Sequence, residues 1–319
     1  MSRYCIELDG ITKKFGNFTA VDHISMKLEP GKVYGIVGPN GAGKSTTMAL
    51  IMGSLFPTEG TGNVFGHPLA STEALKLLGY SPEFTSFYSD MSCYEYLWYM
   101  GTLTGMSNAE AMQRAKELIS QFELEEHATR RVSKFSTGMK KKVSLAQAMI
   151  HKPQILLLDE PTANLDPTSR QEILDTVRKM VSQDNLTVLI SSHVLTELET
   201  VISHLLMIDH GRIVIDAPLQ EAQERFKQGV LLVETDNNDL LLEKLQDRYK
   251  HTLEESTLRF MTGSLAELKK DIVTAVYENG LQLNRLQEEV LSLDSLYKQL
   301  MEGEHGDEGN TEKNAAGNA

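Results

Sequence analysis

Gly38-Pro39-Asn40-Gly41-Ala42-Gly43-Lys44-Ser45 fits the spacing G-x-x-x-x-G-K-[ST], and its residue types say what such a loop can hold. Glycines let backbone amides turn inward around phosphate oxygens as a nest. The apolar run Lys32 to Val37 precedes the loop, and a helical pattern from Gly43 to Met52 follows it. A helix N-terminus therefore adds its dipole to the same anion. In this phosphate-binding loop (P-loop) Lys44 reaches the β- and γ-phosphates of a nucleotide. Ser45, followed by Thr46, offers a hydroxyl to Mg²⁺. A glycine-rich turn with a chance lysine is the bland alternative, and it leaves the order strand, loop, helix unexplained.

A second group lies further along the chain. The apolar run Ile155 to Leu158 ends at Asp159, so this carboxylate emerges at the end of a buried strand, where it can hold Mg²⁺ through water. Glu160 follows directly and points elsewhere; the resemblance to P-loop ATPases of this pattern implies that it is the candidate general base for an attacking water. The alternative is an exposed acidic turn before Pro161. In Phe135-Ser136-Thr137-Gly138-Met139 a serine hydroxyl and glycine amides open a predicted helix. Such a start can bind a phosphate, and read alone Ser136 is an ordinary N-cap.

Taken with His193, these segments resemble the ATPase subunit of an ABC transporter. The segment 135–139 is similar to the family signature, usually Leu-Ser-Gly-Gly-Gln. Ser136 and Gly138 match it, while Phe135, Thr137 and Met139 depart from it. The Phe-Ser-Thr-Gly-Met form is similar to that of antibiotic- and sodium-export ATPases of the ABC-2 group. The resemblance covers roughly residues 3–220.

The resemblance implies ATP as nucleotide, Mg²⁺ as metal, and a site shared between two subunits. Ser136, Thr137, Gly138 and Met139 would face the P-loop of a second ATPase subunit, expected to be another copy of this chain. Phe15 stands where an aromatic stacks on adenine, and its alternative is a core aromatic. Glu83, in Gly79-Tyr-Ser-Pro-Glu83, replaces a glutamine that touches Mg²⁺ and senses the membrane subunit. A carboxylate is still a hard oxygen ligand, but it adds a charge beside the nucleotide. Asn164-Leu165-Asp166 matches the loop that bridges the two subunits, with a helix cap as alternative. His193, after the predicted strand Thr187 to Ser191, resembles a histidine that hydrogen-bonds the γ-phosphate. Position selects it from nine histidines.

These residues need elements that bring them together. Residues 3–28 alternate and contain Gly10 and Gly16, which predicts antiparallel strands joined by turns. Residues 91–150 lose strand character, and Tyr94–Thr104, Asn108–Phe122 and Thr137–Ile150 read as helices. Strand signals return at Ile155–Leu158, Thr187–Ser191, Leu205–Ile208 and Arg212–Ile215. Ser169–Gln183 is a helix between two of them, and Asp209-His-Gly-Arg212 a hairpin turn. Buried strands alternating with helices predict a mainly parallel sheet.

After a polar helix starting at Ala217-Pro218, the order changes to Val230–Glu234 (strand), Asn238–Tyr249 (helix), a hairpin within Thr252–Met261, Ser264–Glu278 (helix) and Leu281–Val290 (strand). That is the β-α-β-β-α-β ferredoxin-like arrangement. Ser264 and Glu267 have capping-box spacing, and Gly280 gives a helix stop. A helix is predicted at Leu293–Met301.

The expected fold is therefore an α/β P-loop ABC ATPase domain over 1–220. It combines a mainly parallel sheet core, an antiparallel β subdomain and a helical insertion at about 91–150. A small α+β ferredoxin-like accessory domain over 221–302 and a disordered tail over 303–319 follow.

Bulk properties narrow the partners. The 319 residues are 41% hydrophobic. The net charge of -13 is concentrated in residues 229–319, with 18 acidic against 9 basic side chains. An acidic chain without a basic run excludes a nucleic-acid partner. The one basic cluster, Lys140-Lys141-Lys142, reads as a solvated helix face. Cys5 and Cys93 have no disulfide or metal spacing, which favours a reducing compartment. No secretory signal or apolar run near the roughly 20 residues of a membrane span is visible. We therefore expect a cytoplasmic protein, and the resemblance implies an ATPase subunit held at the membrane by a permease on a separate chain.

The stretch containing Tyr88, Tyr94, Tyr96, Trp98 and Tyr99 is either a docking surface for that permease or the core of the insertion. The alternative function, a soluble ATP-switched protein acting on DNA or ribosomes, is opposed by the acidity and the single cassette. Residues 46–135 are also too few to hold a long coiled coil between the two motifs. Residues 229–301 could bind a small regulatory ligand, or serve dimerisation or stability alone.

Overall fold

In chain order the elements begin with β1 (Ile6–Phe15), β2 (Phe18–Leu28), β3 (Val33–Val37) and α1 (Lys44–Ile51). The computed structural model describes residues 3–289 apart from 185, 226–228, 246–247, 255 and 263. The helix expected at 293–301 and the tail lie outside the described residues. Next come β4 (Glu59–Val64), β5 (His67–Pro68), α2 (Thr72–Leu77), β6 (Leu78–Ser81), α3 (Cys93–Leu103), α4 (Asn108–Gln121) and α5 (Thr137–Ala148). The first compact unit closes with β7 (Ile155–Leu158), α6 (Pro167–Asp184), β8 (Thr187–Ser192), α7 (Leu195–Leu198), β9 (His204–Asp209) and β10 (Arg212–Pro218). Contacts divide the chain between Leu219 and Gln220.

Two sheets build the first unit. One is antiparallel, in the order β2-β1-β4-β5. Gly16, at φ +59, turns β1 into β2. Gly10 is not at a turn as expected. It sits inside β1 at φ +60, where the pairing with β2 slips between Leu8 and Ile11. This bulge resets the alternation, so both Leu8 and Ile11 reach the core although they are three residues apart.

The other sheet has the order β10-β9-β3-β8-β7-β6. Its strands from β9 to β6 are parallel, and only β10 is antiparallel. Parallel strands covered on both faces read as continuous apolar runs, and β3, β7 and β8 are buried at every position. One core joins the two sheets around α1: Ile24 and Met26 of the antiparallel sheet, Met48 and Ile51 of α1, and Ile36 and Leu157 of the parallel sheet belong to one buried cluster. Strands β4 to β6 and helix α2 have no forerunner in the sequence reading. Gly60 and Gly62 interrupt the first of them, and β6 is only Leu78–Ser81.

The insertion holds α3, α4 and α5. Ser92 with Glu95 and Ser107 with Glu110 form complete capping boxes at the first two.

In the second unit α8 (Leu219–Arg225) follows β10, which runs through Ala217 and Pro218 instead of yielding to a helix there. The remaining elements are β11 (Gly229–Thr235), α9 (Asn238–Leu245), β12 (Lys250–Glu254), β13 (Thr257–Thr262), α10 (Leu265–Glu278) and β14 (Leu283–Glu289). The sheet order β12-β13-β11-β14, antiparallel throughout, is the ferredoxin-like one. Leu231, Val233 and Phe260 share one buried cluster with Leu241, Leu268 and Ile272 of its helices.

Gly280, at φ +64, ends α10 with the amides of Gly280 and Leu281 donating to the carbonyls of Tyr277 and Val276. The capping box expected at Ser264 does not form, because the Ser264 amide donates to Thr262 Oγ1 instead.

Candidate active site

Strands β3, β6, β7 and β8 are parallel, so their carboxyl ends share one edge of the sheet. Gly38, Asp159 and His193 follow directly after three of these ends, and Glu83 lies two residues beyond the fourth. Ligand sites of open α/β sheets form at this edge.

The P-loop is shaped by close approach. A Cβ on Gly38 would stand 2.0 Å from the Ile208 carbonyl oxygen, and Gly43 adopts φ +107 against the Ala20 carbonyl. The Gly211 amide donates to the Ala42 carbonyl at 3.0 Å, so the β9–β10 turn braces the loop. Lys44 Nζ donates to the carbonyls of Gly38 at 2.8 Å and Pro39 at 3.1 Å, and lies 3.7 Å from Glu160 Oε1. Lys44 is 6% exposed. Burial holds its ammonium below the usual lysine range, and the Glu160 and Asp159 carboxylates pull it back.

Asp159 Oδ1 accepts from Ser45 Oγ at 3.0 Å and from Ser191 Oγ at 2.6 Å. The Ser191 hydroxyl also accepts the Glu160 amide at 2.8 Å. Glu160 has φ 45, a left-handed conformation that turns its side chain away from the line of β7. Its Oε2 lies 2.8 Å from His193 Nδ1. The Glu160 carboxylate is buried, and the imidazole is half-exposed.

Ser191 and Tyr80 escaped the sequence reading. Burial pushes the Tyr80 phenol up to about 12, with Asp159 beside it adding to the shift. The available signal was a hydroxyl at the end of a buried strand.

Ser45 and Asp159 place two hard oxygen donors side by side. Among the described residues no group of three or more His, Cys, Asp or Glu forms a metal cage. That donor set fits Mg²⁺, which takes one or two protein ligands and completes its shell with phosphate and water. Glu83 is half-buried in the loop after β6, and its carbonyl accepts from Lys141 Nζ at 3.1 Å. Lys141 overturns the expectation of a solvated basic face. It is 7% exposed, burial lowers its ammonium to about 8, and Lys142 pairs with Glu172 at 3.1 Å.

The signature residues stand apart from this cluster. Ser136 Oγ accepts the Met139 amide at 3.3 Å as the N-cap of α5, and Ser136 and Thr137 are exposed. A Cβ on Gly138 would come 3.0 Å from Ser169 Oγ. No hydrogen bond or ion pair among the described residues joins 136–139 to Lys44, Asp159 or Glu160. Asp166 caps α6, accepting from the Ser169 amide at 3.1 Å and hydroxyl at 2.7 Å.

Phe15 is 48% exposed, with the Lys13 ammonium 5.3 Å from its ring centre, so it is no core aromatic. The aromatic stretch divides. Tyr96 is 1% exposed and donates to Gln147 Oε1, whereas Tyr88 and Phe84 are exposed.

The family described as ABC transporter matches residues 21–163. YxlF of Bacillus subtilis, an uncharacterised ABC transporter ATP-binding protein, is 30% identical over 92% of this chain and 98% of its own length. The bacitracin transport ATP-binding protein BcrA of Enterococcus faecalis is 30% identical over 94% of this chain and 97% of its own. Among solved structures, cbiO1 from Clostridium perfringens, part of the ABC transporter complex cbiONQ, aligns with a TM-score of 0.64. That alignment covers 69% of this chain and 90% of that one at 23% identity, a likeness of fold.

Proposed function

This chain belongs to the ATP-binding proteins of ABC transporters, and on that premise we propose that it powers an exporter by pairing with a second ATPase subunit. It is an ATPase, splitting ATP with water into ADP and phosphate. The observation that carries the reading is the convergence of Lys44, Ser45, Asp159, Glu160 and His193 at one sheet edge.

Gly38 to Thr46 hold the phosphates through backbone amides, and Lys44 binds the β- and γ-phosphates. Ser45, Asp159 and Glu83 would hold Mg²⁺, which would supply positive charge to offset that of the phosphates. Glu160 accepts a proton from water. The resulting oxygen bonds to the γ-phosphorus as the bond to the ADP oxygen breaks. His193 orients Glu160 through Nδ1 and presents Nε2 to the γ-phosphate. Phe15 stacks on the adenine.

The signature residues Ser136 to Met139 do not touch this chain's own P-loop lysine. This supports a sandwich in which each copy completes the other's site, with Asp166 near the seam. ATP closes the pair, and hydrolysis reopens it.

The partner of the pair is a permease on a separate chain, reached through Glu83 and the exposed Phe84 and Tyr88. Among the described residues no helix is long and apolar enough to cross a membrane. This fits a subunit docked on the cytoplasmic face through that permease. Export is favoured by similarity to a Nod factor export ATP-binding protein of Cupriavidus metallidurans, 31% identical over 80% of this chain. Residues 1–220 act as the nucleotide-binding domain and 221–302 as an accessory domain.

Glu160→Gln tests the reading. We expect phosphate release to fall about 100-fold or more, with ATP binding kept and a dimer on a sizing column only when ATP is present. Continued hydrolysis by that variant would remove Glu160 from its role.

A further inference from the structure

Helix α5 grips the loop after β6 at several points. Lys141 Nζ donates to the carbonyls of Pro82 and Glu83, both at 3.1 Å. One turn later, Ser144 Oγ bonds Ser81 Oγ at 2.8 Å and Thr85 Oγ1 at 2.7 Å. Lys141 and Ser144 are three residues apart and so share one helix face. Both are buried. An ammonium in such a place is costly unless its donors are paired, and the two loop carbonyls take two of the three. The same segment is tied to the catalytic strand, because the Asp159 amide donates to the Ser81 carbonyl at 2.9 Å.

We propose that Lys141 is a positioning residue: with Ser144 it clasps residues 81–85 to α5, so that the signature helix and the loop bearing Glu83 move as one body. A displacement of Glu83 by the permease then reaches Ser136–Met139 without passing through the nucleotide. In the other direction, closure of the signature onto ATP re-aims the Glu83 carboxylate. The inference rests on the reading of Glu83 as an Mg²⁺ ligand only for its effect on metal use. The clasp itself rests on the hydrogen bonds.

The test uses the full chain with Lys141→Met, Lys141→Arg and Glu83→Ala. Native-state chymotrypsin cleavage at Phe84 and Tyr88 reads the loop directly, since both side chains are exposed. Lys141→Met is expected to speed cleavage there selectively. It should also raise the Mg²⁺ concentration for half-maximal ATPase about tenfold, as loss of a partner behind a metal ligand does. ATP binding in EDTA should hold within about twofold. Lys141→Arg, which keeps charge and donors, should recover both properties.

Unchanged loop cleavage in Lys141→Met, or cleavage that rises equally throughout the chain, would overturn the proposal. If Glu83→Ala leaves the Mg²⁺ requirement unaltered, the metal role of Glu83 fails while the cleavage result still decides the clasp. Should Lys141→Met not fold, Ser144→Ala breaks the companion bonds and is judged by the same cleavage.

Discussion

Ser191 shows how much of the site depends on a residue that carries no chemistry itself. Its hydroxyl donates to Asp159 and accepts the amide of Glu160. One side chain on β8 thus fixes both carboxylates at the end of β7. Ser191→Ala leaves a buried amide without its acceptor, at a cost of about 1–3 kcal/mol, and loosens the turn that gives Glu160 its left-handed backbone. We expect a lower melting temperature and slower phosphate release, with ATP affinity near that of the parent, measured by calorimetry and a steady-state assay. Lys44, Asp159 and Glu160 were legible because their meaning lies in immediate neighbours: a glycine loop before one, an apolar run before the others. Ser191, Tyr80 and Lys141 were not. Each acts on a partner dozens of residues away, and a serine in a strand or a lysine in a basic triplet looks the same whether or not that partner arrives.

At the scale of elements, local spacing predicts well where nothing competes for the same amide. Three helices open on a serine followed three residues later by glutamate, at Ser92, Ser107 and Ser264. All three serines have extended backbones, and the first two form complete boxes. At the third, Thr262 has already taken the Ser264 amide, and no side-chain cap forms. Ser92→Ala and Ser107→Ala should therefore each cost about 1 kcal/mol, while Ser264→Ala should be nearly neutral in denaturant titrations. Long elements such as α4, α6 and α10 were visible in the sequence from their periodicity. Strands β4 to β6 were missed because they are short and glycine-interrupted, with too few residues to establish an alternation.

At the scale of the whole molecule, a signature set apart from its own P-loop lysine predicts composite sites. Mixing Ser136→Arg with Lys44→Ala subunits should restore part of the ATPase activity that each lacks alone. No recovery in the mixture would argue against the sandwich. Acid sensitivity belongs to this scale too. His151 Nε2 lies 2.9 Å from the Leu78 carbonyl. Burial, with Arg114 nearby, holds the imidazole below its ordinary 6.5. The unfolded chain thus binds a proton that the folded chain refuses, and stability falls as pH drops below 6.5. His151→Gln should flatten that slope in thermal melts taken across the range.

The sequence alone determined the ATPase motifs, from the phosphate loop and the Asp159-Glu160 pair to the signature, and the order of a second α+β unit. These are short-range patterns in which neighbouring residue types carry the chemistry. Only the tertiary structure decided that Glu160 meets Lys44 and His193, that Ser191 holds the two carboxylates, and that Lys141 is a buried clasp instead of a solvated face. Those facts depend on parallel strands delivering residues from four distant segments to one edge, and no local pattern encodes that arrival.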